Sequence, residues 1–175
     1  MNSADPAHAR TLVLAGPMGA GKTSIGRRVA RSTGLRFVDT DKTIVHAHGP
    51  IPAIFAEHGE EQFRIWEGEA VVEALDGGGV ISLGGGAVLA ADTRELLRTV
   101  PVVLLTVTPE AVASRITGTA RPLLSGEEDP LVRWTRIFAE RRPLYEEIAD
   151  ATFDTSRVPM SRVAQQIAEW LRGRA

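Results

Sequence analysis

Cysteine is absent from all 175 residues, which excludes disulfides, thiolate metal sites and a cysteine nucleophile, and is compatible with a reducing compartment. A charge excess is also missing. The formal net charge is −2 with histidines neutral, so no global basic surface supports a nucleic acid or an anionic membrane as partner. Anion binding must then come from local charge. The first ten residues, "MNSADPAHAR", lack the apolar stretch of a signal peptide, and the longest apolar run, around "PVVLLTV", is far too short to span a bilayer. These absences predict a cytoplasmic protein without a membrane or nucleic-acid partner, and a monomer is the default expectation. Repeats and low-complexity tracts are lacking as well, and residues 1–9 read as a flexible tail.

The composition fits one domain over residues 10–175: 43% of residues are hydrophobic and 24% charged, enough for a sizeable core. Short apolar runs, "TLVLA" (11–15), "RFVD" (36–39), "GVISL" (79–83), "VVLLTV" (102–107) and "ATFD" (151–154), alternate with helical patterns. The helical patterns lie at 23–32, 60–75, 92–98, 109–115, 131–148 and 160–172. Strands apolar throughout suit a sheet covered on both faces, and the alternation predicts a parallel sheet with right-handed crossovers in a three-layer α/β/α fold. "DTRE" at 92–95 has the form of a capping box, and "TPE" at 108–110 offers a Thr cap followed by proline at the first helical position.

The stretch "GPMGAGKTS" at 16–24 matches G-x-x-x-x-G-K-[ST] through Gly16, Gly21, Lys22 and Thr23, and it lies between a strand and a helix, where that motif must lie to work. Backbone N–H groups of Gly19, Ala20, Gly21 and their neighbours through Ser24 can turn around phosphate oxygens at a helix N-terminus. Lys22 can neutralise the β/γ-phosphates, and the Thr23 hydroxyl can ligate Mg²⁺. An ordinary glycine-rich turn would need neither the lysine nor the hydroxyl at those positions.

The residues beyond this turn suggest a second substrate. "VDTD" puts Asp39 and Asp41 two residues apart at the carboxyl edge of the sheet, where one carboxylate can serve a metal shell and the other accept a proton. The plain alternative is that such an Asp caps the next helix. Neither the third nor the fourth strand ends in Asp, so Asp39 is the carboxylate expected near the metal. "GEEQFRIWE" spaces Arg64 and Glu67 as an ion pair on one helix face, which could equally be a solvated bridge. Gly84, Gly85 and Gly86 in "SLGGGAV" suggest close approach by a ligand or by the phosphate loop, with tight turning as the alternative. Residues 117–130, "TGTARPLLSGEEDP", read as a lid that could deliver Arg121 to a transferring phosphoryl group. "AERRPLYEEIAD" supplies Arg141 and Arg142, planar forks suited to a carboxylate, on a helical pattern interrupted by Pro143. Pro50 and Pro52 predict a rigid helix start. His46, His48 and His58 read as exposed residues rather than a metal set, since a two-residue spacing points His46 and His48 to different faces of a helix.

In their order, "GPMGAGKTSIGRRVA", "FVDTD", "IFAEHGEEQFRIWE", "ISLGGGAV", "RPLL" and "RRPLYEEIADATFDT" resemble shikimate kinases over nearly the whole chain, from about Thr11 to Leu171. The resemblance implies a P-loop NTPase fold with a five-stranded parallel sheet in order 2-3-1-4-5, a substrate-binding segment at about 40–70 and a mobile lid. It implies ATP as co-substrate with Mg²⁺, and phosphorylation of the 3-hydroxyl of shikimate. By the same resemblance Asp41 contacts the shikimate hydroxyls and is the base, Asp39 supports Mg²⁺ through water, and Arg64, oriented by Glu67, binds the carboxylate. Gly84 to Gly86 line the pocket and Arg121 reaches the phosphates. The second carboxylate ligand is Arg141 by family spacing, with the adjacent Arg142 as alternative, and the adenine falls between Arg115 and Arg157. The stretch from Arg115 to "RPLL" is slightly short for the family. Competing readings are another small-molecule kinase, for gluconate or a nucleotide, and a nucleotide-binding regulatory module that transfers nothing.

Overall fold

The computed structural model describes residues 11–116 and 128–174. Within them β1 (Thr11–Ala15), β2 (Phe37–Asp39), β3 (Gly79–Ser82), β4 (Val102–Thr106) and β5 (Ala151–Asp154) form one sheet in the order β2-β3-β1-β4-β5. Every pairing is parallel, as the apolar runs predict. Alternation along β1 assigns its side chains to two cores: Leu12 and Leu14 join one cluster with Ile25, Val29 and Ile167, whereas Val13 and Ala15 join another with Val71, Ile81 and Leu104. The first lies under α1 (Lys22–Thr33) and α7 (Met160–Arg172). The second is covered by α3 (Ile51–Gly77) and the C-terminal part of α6 (Pro130–Ile148), through Tyr145 and Ile148.

Two helical regions go beyond the sequence reading. Residues Thr40–His48 form α2, and α3 begins at Ile51, nine residues ahead of the predicted start at 60. Gly59, at φ 79°, breaks α3 into two segments, which is why no single apolar period runs through it. Pro50 and Pro52 form the rigid start of that helix. The α2–α3 pair has its own small core of Ile44, Ile54, Phe63 and Ala70, and His48 closes it by stacking on Trp66 with ring centroids 3.7 Å apart. His58 meets the same indole edge-on at 5.3 Å.

The remaining helices are α4 (Ala91–Leu97) and α5 (Pro109–Ile116). The capping box read at 92–95 is not formed: Ala90 occupies the cap position of α4 without a side-chain bond, and Asp92 lies inside the first turn. At α5 the Thr108 hydroxyl does accept from the Ala111 N–H, at 3.4 Å. Pro143 does not interrupt α6, which continues through it to Ile148. Asp129 caps the start of α6, its carboxylate accepting from the N–H groups of Leu131 at 2.8 Å and Val132 at 3.2 Å. Among the described residues no helix is long and apolar enough to cross a membrane.

Candidate active site

The turn after β1 is shaped by what surrounds it. A Cβ on Gly16, at φ 136°, would fall on the Leu105 carbonyl oxygen of β4, and one on Gly19, at φ 79°, would fall on the Val112 side chain of α5. Both positions therefore need glycine for conformation and for space. Gly21, at φ 90°, caps α1. Lys22 folds back over the turn and donates from Nζ to Gly16 O at 2.7 Å and Pro17 O at 3.0 Å. The Ala20 N–H donates to Pro17 O at 3.3 Å. At the second residue of α1, the Thr23 hydroxyl donates to Asp39 Oδ2 at 2.7 Å. Asp39 also caps α2 through a 3.3 Å bond to Oδ1 from the Lys42 N–H, so its capping role and its place beside Thr23 coexist.

Register puts Asp39 level with Ser82 of β3, and Ser82 level with Leu14 of β1. The three strands thus bring the Asp pair, the end of β3 and the glycine-rich turn to one carboxyl edge. Thr40, fully buried between the two aspartates, donates to Ser82 O at 3.4 Å and accepts from the Gly84 N–H at 3.0 Å. Its hydroxyl joins the second strand to the triple-glycine turn.

That turn is spare for a reason other than backbone strain. The segment does turn tightly, the Ala87 N–H donating to Gly84 O at 3.2 Å, but Gly84, Gly85 and Gly86 all lack positive φ, so the turn itself does not demand glycine. A Cβ on Gly84 would stand 2.5 Å from Asp41 Oδ1 and 2.6 Å from Glu67 Oε1, and one on Gly86 would overlap the Arg64 guanidinium. The glycines make a hollow into which three charged side chains reach. Arg64 donates to Glu67 Oε2 at 2.6 Å and to Glu60 Oε1 at 2.8 Å. Glu67 is only 2% exposed, so this is not a solvated surface bridge. Burial raises the Glu67 pKa above the usual carboxylate value, with Arg64 opposing and Asp41 adding to the rise. Burial works against the Arg64 charge, but Glu67 and Glu60 more than offset it and the guanidinium pKa is raised.

From α6, Arg141 donates to Gly85 O at 3.1 Å and the Tyr145 hydroxyl donates to the same oxygen. Burial pushes the Tyr145 pKa up to about 12, against the pull of Arg141, so the phenol remains a donor at neutral pH. The neighbouring Arg142 is exposed and pairs with Glu146 at 2.7 Å. Of the two adjacent arginines, Arg141 is the one that reaches the hollow.

One cavity of about 490 Å³ is shared by the glycine turn, the Asp pair and the arginines; Gly19, Gly21, Lys22, Thr23, Ser24, Asp39, Asp41, Arg64, Gly85, Gly86, Arg115 and Arg141 all line it. Arg115 donates to Gly19 O at 3.0 Å and Thr155 O at 2.9 Å, bridging the turn to the segment after β5. Ala20 and Gly84 lie behind the lining, and Arg157 is exposed and does not line the cavity. Arg121 and the lid through residue 127 fall outside the described residues. Sequence reasoning passed over Thr40, Tyr145 and Trp134, all of them buried in or beside the cavity wall. For Tyr145 and Trp134 the available signal was the helical spacing from Arg141, four residues on and seven back.

Comparison with known proteins identifies the family. A family model described as shikimate kinase matches residues 18–172. The shikimate kinase of Rhodococcus jostii (strain RHA1) is 42% identical over 158 residues, which are 89% of this chain and 94% of that protein. The solved shikimate kinase from Acinetobacter baumannii in complex with shikimate superposes with a TM-score of 0.88 at 35% identity, covering 94% of each chain. A gluconokinase from Sinorhizobium meliloti shares the fold alone, with a TM-score of 0.66 at 19% identity over 96% of this chain and 94% of the other. The family match over residues 18–172, together with relatives aligned over 89% or more of this chain, shows that this chain belongs to the shikimate kinase family.

Proposed function

We propose that the protein transfers the γ-phosphoryl group of ATP to the 3-hydroxyl of shikimate, giving shikimate 3-phosphate and ADP. The observation that carries this reading is the shared cavity. The turn carrying Lys22 and Thr23 opens on the same cavity as Asp41, Arg64 and Arg141, and we read the turn as the phosphate site and the two arginines as the carboxylate site.

In this reading the two guanidiniums grip the acid's carboxylate by charge-assisted bonds, Glu67 keeps Arg64 in orientation, and the ring lies across the triple-glycine hollow. Asp41 orients the attacking hydroxyl and takes its proton as the new O–P bond forms and the bond from the γ-phosphorus to the β–γ bridging oxygen breaks. Lys22 spreads its charge over the departing phosphates once it leaves the carbonyls of Gly16 and Pro17, and Arg121 adds a second cation from the lid. Positioning supplies most of the rate.

A hard divalent cation fits the donor set beside the turn: the Thr23 hydroxyl and the Asp39 carboxylate already stand 2.7 Å apart on the cavity wall. Thr23 and Asp39 would hold Mg²⁺, the carboxylate through water, and the ion would neutralise charge on the β/γ oxygens. Arg115, on the cavity wall beside the turn, would flank the adenine; Arg157, outside the lining, would reach it only from the solvent side. We read residues 10–175 as one domain, monomeric and cytoplasmic, with the segment at about 40–70 closing over the acid.

The test offers purified protein with Mg·ATP to shikimate, gluconate and nucleoside monophosphates in parallel and follows ADP release. Rapid ADP formation with shikimate alone is expected. Turnover with gluconate instead would move the protein to the other kinase on this scaffold, and nucleotide binding without acceptor-dependent ADP would leave a regulatory module.

A further inference from the structure

We propose that Trp134 is a positioning residue for the nucleotide phosphates, acting through a single peptide unit of the turn. Its indole Nε1–H donates to Met18 O at 2.8 Å across 116 residues of sequence, and the side chain is 2% exposed. No cis peptide is present among the described residues, and in a planar trans unit the C=O and the following N–H point in opposite directions. Fixing the Met18 carbonyl toward α6 therefore turns the Gly19 N–H away from the indole, and in this proposal that N–H is one from which the phosphates accept. Among the described residues the indole is the hydrogen-bond donor that α6 gives this peptide, and a flipped peptide would present a carbonyl oxygen to the phosphates.

The neighbouring peptides make the same point. Lys22 donates to Gly16 O and Pro17 O from within the turn. The next two carbonyls are held from outside it: Met18 O by Trp134 of α6 and Gly19 O by Arg115 of α5. An amine that must move to the phosphates cannot keep the turn rigid, whereas two donors on separate helices can. Trp134 is itself fixed by packing. It belongs to the core beneath α1 and α7 and meets Phe138 in a tilted ring contact with centroids 5.3 Å apart, and the Phe138 ring lies 6.5 Å from that of Tyr145. Trp134, Phe138, Arg141 and Tyr145 follow a helical stripe of α6. One helix thus holds the phosphate turn at Met18 and the glycine hollow at Gly85.

The inference rests on the reading that the turn binds the phosphates of ATP. Its test is the Trp134→Phe variant, which keeps a ring in the core and deletes the N–H, with Mg·ADP and shikimate affinities measured separately by calorimetry. The loss of one buried hydrogen bond and of a pre-ordered peptide should weaken ADP about 5- to 10-fold while shikimate stays within about twofold. ADP affinity unchanged, or equal loss for both ligands, overturns the role of Trp134 while leaving the nucleotide reading intact. A wild-type protein that binds no ADP overturns both. Should the variant not fold, the wild-type indole resonance decides, assigned with Trp66→Phe and Trp170→Phe. It should shift on saturation with ADP, and an unmoved resonance refutes the proposal.

Discussion

In the proposed reading, the cavity's phosphate turn and its acceptor hollow both rely on glycine, for different reasons. At the first, glycines with positive φ bring a turn against the β4 carbonyl of Leu105 and the α5 side chain of Val112. At the second, glycines with ordinary φ clear room for Asp41, Glu67 and Arg64. The same residue type therefore meets two different physical demands. The difference teaches which errors each end tolerates: a misplaced backbone cannot yield, whereas a displaced guanidinium can move at the expense of binding.

Alanine scanning of the glycines should break the molecule in two ways, and the larger effect belongs to the backbone end. Gly16→Ala combines a left-handed φ with a backbone collision and should cost at least about 3 kcal/mol of stability in a denaturant titration. Gly86→Ala should remain folded, because the obstructing atoms are the tip of Arg64. Its shikimate KM should rise about 30-fold or more while the ATP KM holds, consistent with losing a charge-assisted contact of about 2 kcal/mol or more.

Proton linkage sharpens the contrast. Because the Glu67 pKa is raised, the folded state takes up this proton at a higher pH than the unfolded chain. The group's contribution to stability is thus complete below the ordinary carboxylate value and is lost as pH rises through the raised one. Binding runs the other way: protonation removes the charge that orients Arg64. The shikimate KM should climb several-fold on the acid side, beginning above the usual carboxylate range, and Glu67→Gln should show a raised KM with that limb flattened. The ATP KM should not track this curve.

The smallest effect is expected at Arg142. Exposed and paired with Glu146 four residues on, it should change stability by no more than about 0.5 kcal/mol on replacement by alanine. Its kinetic constants should equal those of the wild type, whereas Arg141→Ala should raise the shikimate KM.

The same division decides how much of the molecule is legible in the sequence. The turn at 16–24 is contiguous, so its spacing and its flanking strand and helix expose the mechanism directly. The five strands are legible because each is a short apolar run. The acceptor end is assembled from α2, α3, the turn after β3, and α6, and only the ion-pair spacing of Arg64 and Glu67 is local. Helix α2 escapes notice because its start overlaps the Asp pair and its end is rich in histidine. The first half of α3 is hidden by Pro50, Pro52 and the break at Gly59. The Met18–Trp134 bond joins positions that no local pattern connects.

The most direct test is the Arg64→Ala variant, titrated with shikimate and with Mg·ADP in separate calorimetric experiments. A cavity with two separately built ends is expected to lose shikimate affinity by about 100-fold, in keeping with loss of a charged hydrogen-bond donor, while ADP binding stays within about twofold. Equal weakening of both ligands, or shikimate binding that does not notice the change, would contradict it.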